Sequence, residues 1–259
     1  MKTKSLILLM SMILTISTFA KKEVIVGGYE FPPFVILKNN APSGMTIDLI
    51  NALNQFQEKY QFTFKPTSAK RRYLDFNKKK YDLIFFENII WGWQEEPIEP
   101  TKVILNGGEV FIAKAQPDRD ETFFSTFKGK TILGIVGYHY QFANLVTDKD
   151  YLSKYFNMRL GNNHEDNIKN VVTRKEPTIA IVTKSYLNLF LNQNPKFRDK
   201  ILVSKKFDQV YRHTILVRKD NHPTTSEMNS LIDNLRKNGK LDEVWKKYGK
   251  EKKTSALRR

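Results

Sequence analysis

Cysteine is absent from this chain, and histidine is scarce at four residues. The first absence rules out disulfides, thiolate catalysis and thiolate metal ligands, and removes the usual attachment point for a lipid near an export signal. Four scattered histidines with no cysteine also argue against a metal site, and nothing calls for a cofactor. No G-x-S-x-G, H-E-x-x-H, phosphate-loop or dinucleotide glycine pattern is present. Zinc-finger, helix-turn-helix and RNA-recognition signatures are missing too, so nucleic acid is not an expected partner. Beyond the N-terminus no uncharged apolar run approaches a membrane-spanning length, which excludes stable membrane insertion.

The N-terminus itself reads as a secretory signal peptide, residues 1–20. Lys2 and Lys4 precede an apolar stretch from Leu6 to Phe19, and Thr18-Phe19-Ala20 forms a small-x-small cleavage site. A periplasmic location follows. The mature chain of about 240 residues must then hold together by burial alone, which that length permits in one or two domains. The net charge of +16, from 43 Lys and Arg against 27 Asp and Glu, is spread along the chain. Most of these charges read as solvated surface, and residues 251–259 as a basic, disordered tail.

The chain is organised around Val24–Phe34, Val-Ile-Val-Gly-Gly-Tyr-Glu-Phe-Pro-Pro-Phe. A buried strand ends in two glycines, and a proline-stiffened loop then presents three aromatics, Tyr29, Phe31 and Phe34. Aromatics beyond a strand's C-terminal end suit the wall of a ligand site. A helix follows from about Thr46, a strand at Phe62–Phe64, a basic amphipathic helix over 69–80, and a strand at 81–86. This alternation predicts a parallel sheet covered by helices. Glu109–Lys114 reads as a strand leaving the first lobe. A second unit begins at Thr131–Val136, turns at Gly137 and runs helically to about Phe156. A helix from His164, a strand at 178–182, a helix at 184–192 and a short strand at 201–204 continue it. Tyr211–Arg218 then returns the chain. Thr224 and Glu227 form a capping box for the next helix, which Gly239 stops. The expectation is an α/β chain of two lobes, each a mainly parallel sheet flanked by helices, joined by two crossover strands that act as a hinge. The lobes are placed at 21–113 with 211–250, and at 114–210.

Several stretches together resemble the bacterial extracellular solute-binding proteins of family 3, of the amino-acid-transporter type, with the type II periplasmic binding fold. They are Gly28–Phe34, Gly44-Met-Thr-Ile-Asp-Leu-Ile50, Lys80-Tyr-Asp-Leu-Ile84, Gly129–Gly137, Leu216–Asn221 and Leu235–Tyr248. The resemblance implies a non-enzymatic, monomeric protein that closes on a small polar solute and delivers it to an ABC-type permease in the inner membrane. By position it implies ligand contacts from Tyr29, Phe34, Arg72, Glu87, Asn88 and Trp91 in the first lobe. Tyr138, His139, Thr183 and Lys184 are the corresponding residues of the second.

Two departures from the family pattern bear on the ligand. Where relatives carry a carboxylate-clamping arginine, this chain has Ile89–Gln94 without one. Where an acidic residue should meet the ligand's amine, it has Thr183-Lys184. The expected ligand is therefore not a standard α-amino acid held by those anchors. Arg72 either takes over as a bidentate clamp, favouring a ligand carboxylate together with Lys184, or belongs to a solvated basic face. Glu87 could accept from a ligand amine or hydroxyl, form a hinge salt bridge, or serve a dehydratase-like enzyme on the same fold. Trp91 and Trp93 suit stacking or cation–π contact, with at least one of them packed in the core. His139 suits a pH-sensitive contact. A third reading is an envelope protein that contacts other macromolecules and captures no solute.

Overall fold

The computed structural model describes residues 20–38 and 41–249; apart from Ala20 the expected signal peptide, and with it the basic tail, lies outside the described residues. The β-branched run at the start forms β1 (Lys22–Gly28), with Val24 and Val26 fully buried. The turn cluster after Phe34 contains a pair of short antiparallel strands, β2 (Ile36–Lys38) and β3 (Ala41–Ser43). Helix α1 (Met45–Phe56) buries Met45, Leu49, Ile50 and Leu53 along one stripe, as its apolar spacing requires. Strand β4 (Tyr60–Pro66) lies parallel to β1.

Helix α2 (Arg72–Asn77) is shorter than the 69–80 expected, because Lys79 adopts a left-handed backbone with φ 55°. Strand β5 (Leu83–Glu87) pairs parallel with β1. After β6 (Ile98–Pro100), β7 (Leu105–Lys114) starts four residues before the strand expected there. The second lobe opens with β8 (Thr131–Ile135). The helix expected through Phe156 is confined to α3 (Lys149–Phe156). Residues 137–148 form a loop instead, in which Asn144 and Leu145 both take positive φ and so cannot continue a helix. Strand β9 (Met158–Gly161), too short to show a period, pairs parallel with β8.

Helix α4 (His164–Thr173), β10 (Thr178–Thr183) and α5 (Lys184–Gln193) follow as expected. The two strands expected near 201 and 211 are one, β11 (Ile201–Arg218), bent by an irregular register between Val203 and Phe207. Ser204 fastens that bend, donating from Oγ to the Lys206 carbonyl at 2.6 Å and accepting from the Phe111 N–H at 3.0 Å. Helix α6 (Thr225–Lys237) carries the expected capping box, and α7 (Lys240–Lys246) ends the described chain.

The strand order is β4-β1-β5-β11-β7-β10-β8-β9, with β6 beside β11. Strands β4, β1 and β5 are mutually parallel, as are β10, β8 and β9. Between these two sets run β7 and β11, antiparallel to each other. The chain is thus two mainly parallel, helix-flanked lobes joined by two long crossover strands. Loops beyond the C-terminal ends of β1, β5 and β8 face one another across the junction, where open α/β sheets bind their ligands.

Candidate functional site

The loop after β1 is clamped onto the start of α1: the Pro33 and Phe34 carbonyls accept from the N–H groups of Met45 and Thr46 at 3.0 and 2.9 Å. That clamp fixes the direction of each ring. Tyr29 and Phe31 face the second lobe. Phe34 faces inward and packs against Phe86 and His213, with centroids 4.7 and 4.5 Å away. It is a core residue of the first lobe and lies away from the cavity.

Arg72 opens α2 with its side chain turned inward and only 1% exposed, so the solvated-face reading is wrong. Its guanidinium lies between the rings of Tyr73 and Tyr29, 4.4 and 5.0 Å from their centroids. Nη1 donates to the Ala69 carbonyl and, across the lobes, to the Gly137 carbonyl at 3.2 Å; Nη2 donates to the Trp91 carbonyl at 3.4 Å. Nε lies 3.6 Å from the Glu87 carboxylate, which is equally buried. Glu87 also accepts from the Trp93 indole at 2.9 Å. Burial raises the Glu87 pKa, and Arg72 opposes that rise. Glu87 therefore stands behind Arg72, in the ion pair that the sequence left open, and Trp93 is the core tryptophan. With its donors directed at carbonyls and Glu87, Arg72 does not present the free fork that clamps a carboxylate.

Trp91 turns toward the cavity. Its indole N–H donates to Gln209 Oε1 at 3.1 Å, and Gln209 Nε2 donates to Glu109 Oε2 at 2.8 Å and to the His139 carbonyl. Glu109 sits on β7 opposite Gln209 on β11, so the hinge strands themselves supply polar groups to the site. It is 2% exposed. Burial, and then the nearby Asp208 carboxylate, push its pKa up to about 8 against the pull of Gln209.

From the loop after β8, Tyr138 donates its hydroxyl proton to the Glu30 carbonyl of the first lobe at 2.9 Å. His139 Nδ1 faces the Leu145 carbonyl at 2.7 Å and Nε2 faces the Tyr73 hydroxyl at 3.0 Å. Burial and the Arg72 charge lower its pKa to about 4, so it is neutral at pH 7 with Nδ1 protonated. Tyr73 also hydrogen-bonds the Trp91 carbonyl, leaving one hydroxyl proton for two acceptors. Gly137, at φ 79°, lets the lobes meet: a Cβ there would lie 3.0 Å from the Lys70 nitrogen.

These groups enclose a cavity lined by Tyr29, Phe31, Arg72, Trp91, Glu109, Tyr138, His139, Gln209 and Tyr211. Its free volume is about 10 Å³, room for about one water. Outside it, beyond Tyr73 and His139, a vestibule of about 510 Å³ opens between Ala69–Lys70 and the 147–150 segment. Five sequence-derived candidates, Tyr29, Arg72, Trp91, Tyr138 and His139, meet at the inner cavity. Four others stay out of it besides Phe34. Glu87 is held behind Arg72. Asn88 accepts from the Ile90 N–H and shapes its own turn. Thr183 is engaged by His164 at 3.1 Å, and Lys184 lies beyond it as the first residue of α5. Phe31, one of the three loop aromatics expected to form a ligand wall, also lines the cavity, whereas Glu109, Gln209 and Tyr211 were missed as site residues. Glu109 did carry a signal, a lone charge in the apolar strand Glu109–Ala113 after two glycines.

The solved structures with this fold include the arginine-, lysine- and histidine-binding protein of Geobacillus stearothermophilus, 18% identical, TM-score 0.66, covering 90% of this chain and 97% of its own. A substrate-binding protein of a Streptococcus pneumoniae ABC uptake transporter, solved with histidine, is 16% identical with TM-score 0.67, over 88% of this chain and 93% of that one. An ancestral amino-acid-binding protein, a precursor of cyclohexadienyl dehydratase, is 15% identical with TM-score 0.66, over 88% and 96%. Comparison with curated protein sequences gives no match. The sequence pattern of one family spans residues 24–251, nearly all of the described chain, and on that match the protein belongs to the bacterial extracellular solute-binding proteins, family 3.

Proposed function

We propose that this is a periplasmic solute-binding protein, exported by residues 1–20, that captures a small polar solute by closing two lobes about β7 and β11. The lobes are 21–113 with 211–250, and 114–210. The solute is passed to an ABC-type permease in the inner membrane, and the protein works as a monomer. One observation carries the reading: both lobes and both crossover strands contribute side chains to a single buried cavity. Parting the lobes must break the Arg72–Gly137, Tyr73–His139 and Tyr138–Glu30 contacts, so opening and access are one event.

The names of the structural neighbours make amino acids the first solutes to test, but the groups that would hold one differ here. No arginine follows β5, and Thr183-Lys184 replaces an acidic residue. A dehydratase-like activity through Glu87 has little support, because that carboxylate is locked to Arg72 and Trp93 and does not reach the cavity.

The test is a thermal-shift screen of refolded mature protein against amino acids, peptides, organic acids, polyamines, quaternary ammonium ions and sugars. A solute at a hundredfold over its Kd adds about 2.7 kcal/mol of stability, a clear rise in Tm. Small-angle scattering of the complex should show the compact form. A panel with no stabilising solute sinks the reading; salt-sensitive binding to membranes or envelope proteins would then replace it, and product formation abolished by Glu87→Gln would favour the enzyme.

A further inference from the structure

The inner cavity has an unusual balance of groups for a site that would take an amino acid. Arg72 is neutralised by Glu87, covered on its faces by Tyr73 and Tyr29, and spends its donors on three carbonyls. What remains is a set of aromatic walls and one carboxyl. Trp91 and Tyr211 meet at 4.9 Å and 77°, Phe31 and Tyr138 at 5.4 Å and 87°, and Phe31 and Trp91 at 6.0 Å and 79°. Near-perpendicular rings of this kind form a box whose faces offer negative quadrupole potential. Glu109 stands at that box on β7. Among the described residues no lysine or arginine forms a salt bridge with its carboxylate, which accepts from Gln209 Nε2 at 2.8 Å.

Resting on the solute-binding reading, we infer that the cavity takes a small organic cation lacking a carboxylate, an alkylammonium or quaternary ammonium head, held on the faces of Trp91, Tyr211, Phe31 and Tyr138 with Glu109 as its counter-ion. Aromatic faces attract such cations, most strongly when both partners leave water. A buried carboxylate with no cation of its own lacks only the opposite charge. The free space is smaller than the ion, so entry requires the lobes to part and the rings to spread. Closure then places the cation between Glu109 and the rings, while the Arg72–Glu87 pair stays intact and does not repel it.

This arrangement ties binding to a proton. The charged and titratable groups around Glu109 and its rings are Asp208, Tyr211 and, packed on the Tyr211 ring at 4.7 Å, His213 on β11, Tyr138, His139 and Tyr140 from the loop after β8, and Arg72 from α2. The tyrosine pKa values are raised and His139 stays neutral, while the Glu109 carboxyl, pushed up to about 8, is placed to change charge near neutral pH. A cation that needs ionised Glu109 releases its proton on binding below pH 8. Affinity should rise about tenfold per pH unit from 6 to 8 and level off above it.

Titration calorimetry of refolded wild-type protein with tetramethylammonium, choline, butylammonium and putrescine chlorides tests this, with arginine and acetate as comparison arms. The inference expects binding of at least one of the four cations, close to one proton released at pH 7 in paired buffers, and the stated pH dependence. The near-isosteric Glu109→Gln should weaken it by at least about 30-fold and abolish the proton release. Failure of all four cations in the millimolar range, while another solute from the wider screen binds, overturns the inference and leaves the solute-binding reading standing. Cation binding with no proton release in the wild type overturns it too, whether or not the variant folds. A panel in which nothing binds removes both.

Discussion

The Trp91 indole N–H donates to Gln209 Oε1 at 3.1 Å, joining the loop after β5 to the crossover strand β11. Because an indole nitrogen only donates, this contact fixes the amide orientation and sends Gln209 Nε2 toward Glu109 and the His139 carbonyl. One amide thus connects the first lobe, the hinge and the second lobe. Removing it in Gln209→Leu leaves Glu109 without the hydrogen bond that lowers its pKa. The Glu109 carboxyl should then titrate above its wild-type midpoint of about 8, read by carbon-13 NMR. An unchanged midpoint would show that burial alone sets it.

The buried Arg72–Glu87 pair makes a second prediction. Replacing Arg72 with Met strands a desolvated carboxylate, a change worth about 3–5 kcal/mol in other proteins. Urea unfolding of Arg72→Met should show a loss of that order. The double variant Arg72→Met with Glu87→Gln should regain most of it, since no unpaired charge then remains. If the two losses simply add, the pair is not coupled as the geometry states.

How much of this was legible in the sequence depends on the kind of signal each residue sends. Val24–Val26, the stripe Leu49–Leu53 and the Thr224–Glu227 capping box are local patterns, and the corresponding elements form where they point. The long strand β11 was not legible as one element, because Lys205-Lys206 interrupts its apolar pattern and a bend hidden in the hinge absorbs them. At the site, Tyr29 and Trp91 could be proposed because aromatics in glycine- and proline-bearing loops after strands suggest a ligand wall. Gln209 and Tyr211 could not, since their role comes from lying across β7 from Glu109 and Gly107, a pairing between residues about a hundred positions apart. Thr183 and Lys184 were carried over by position in the fold, and position did not give the direction of either side chain.

Gly107 supports a third prediction. A Cβ there would fall 2.3 Å from the Tyr211 ring and 2.7 Å from His213 Nε2, so the rings lie directly on the glycine. Gly107→Ala should cost about 1–3 kcal/mol through forced displacement of those rings. It should also weaken solute binding, because Tyr211 lines the cavity. An alanine variant with wild-type stability and binding would mean that the two strands can slide apart freely.

His164 and His139 both weaken the fold in acid. Burial lowers the pKa of His164 to about 3, and burial with the Arg72 charge lowers that of His139 to about 4. Both groups take up a proton near pH 6.5 when unfolded, so the unfolded chain binds more protons as pH falls below that value. Their contribution is full above pH 6.5 and shrinks toward pH 3–4, by on the order of 3 kcal/mol for His139 and about 5 kcal/mol for His164. His164→Gln should flatten the decline in urea midpoint between pH 6.5 and 4. An equally steep decline would assign the acid sensitivity to other groups.

The Tyr138 hydroxyl offers the cleanest handle on the lobes themselves. It donates across the cleft to the Glu30 carbonyl at 2.9 Å, whereas its ring packs on Phe31 with centroids 5.4 Å apart. Tyr138→Phe deletes the first contact and keeps the second. A hydrogen bond of this kind is worth about 1 kcal/mol net, which shifts an open–closed equilibrium about fivefold toward open. The variant should therefore show a larger radius of gyration by small-angle scattering without added solute, and contract again when solute saturates it. Loss of stability with no change in dimensions would instead make the hydroxyl a fold contact, and would remove the link between this cross-lobe bond and opening.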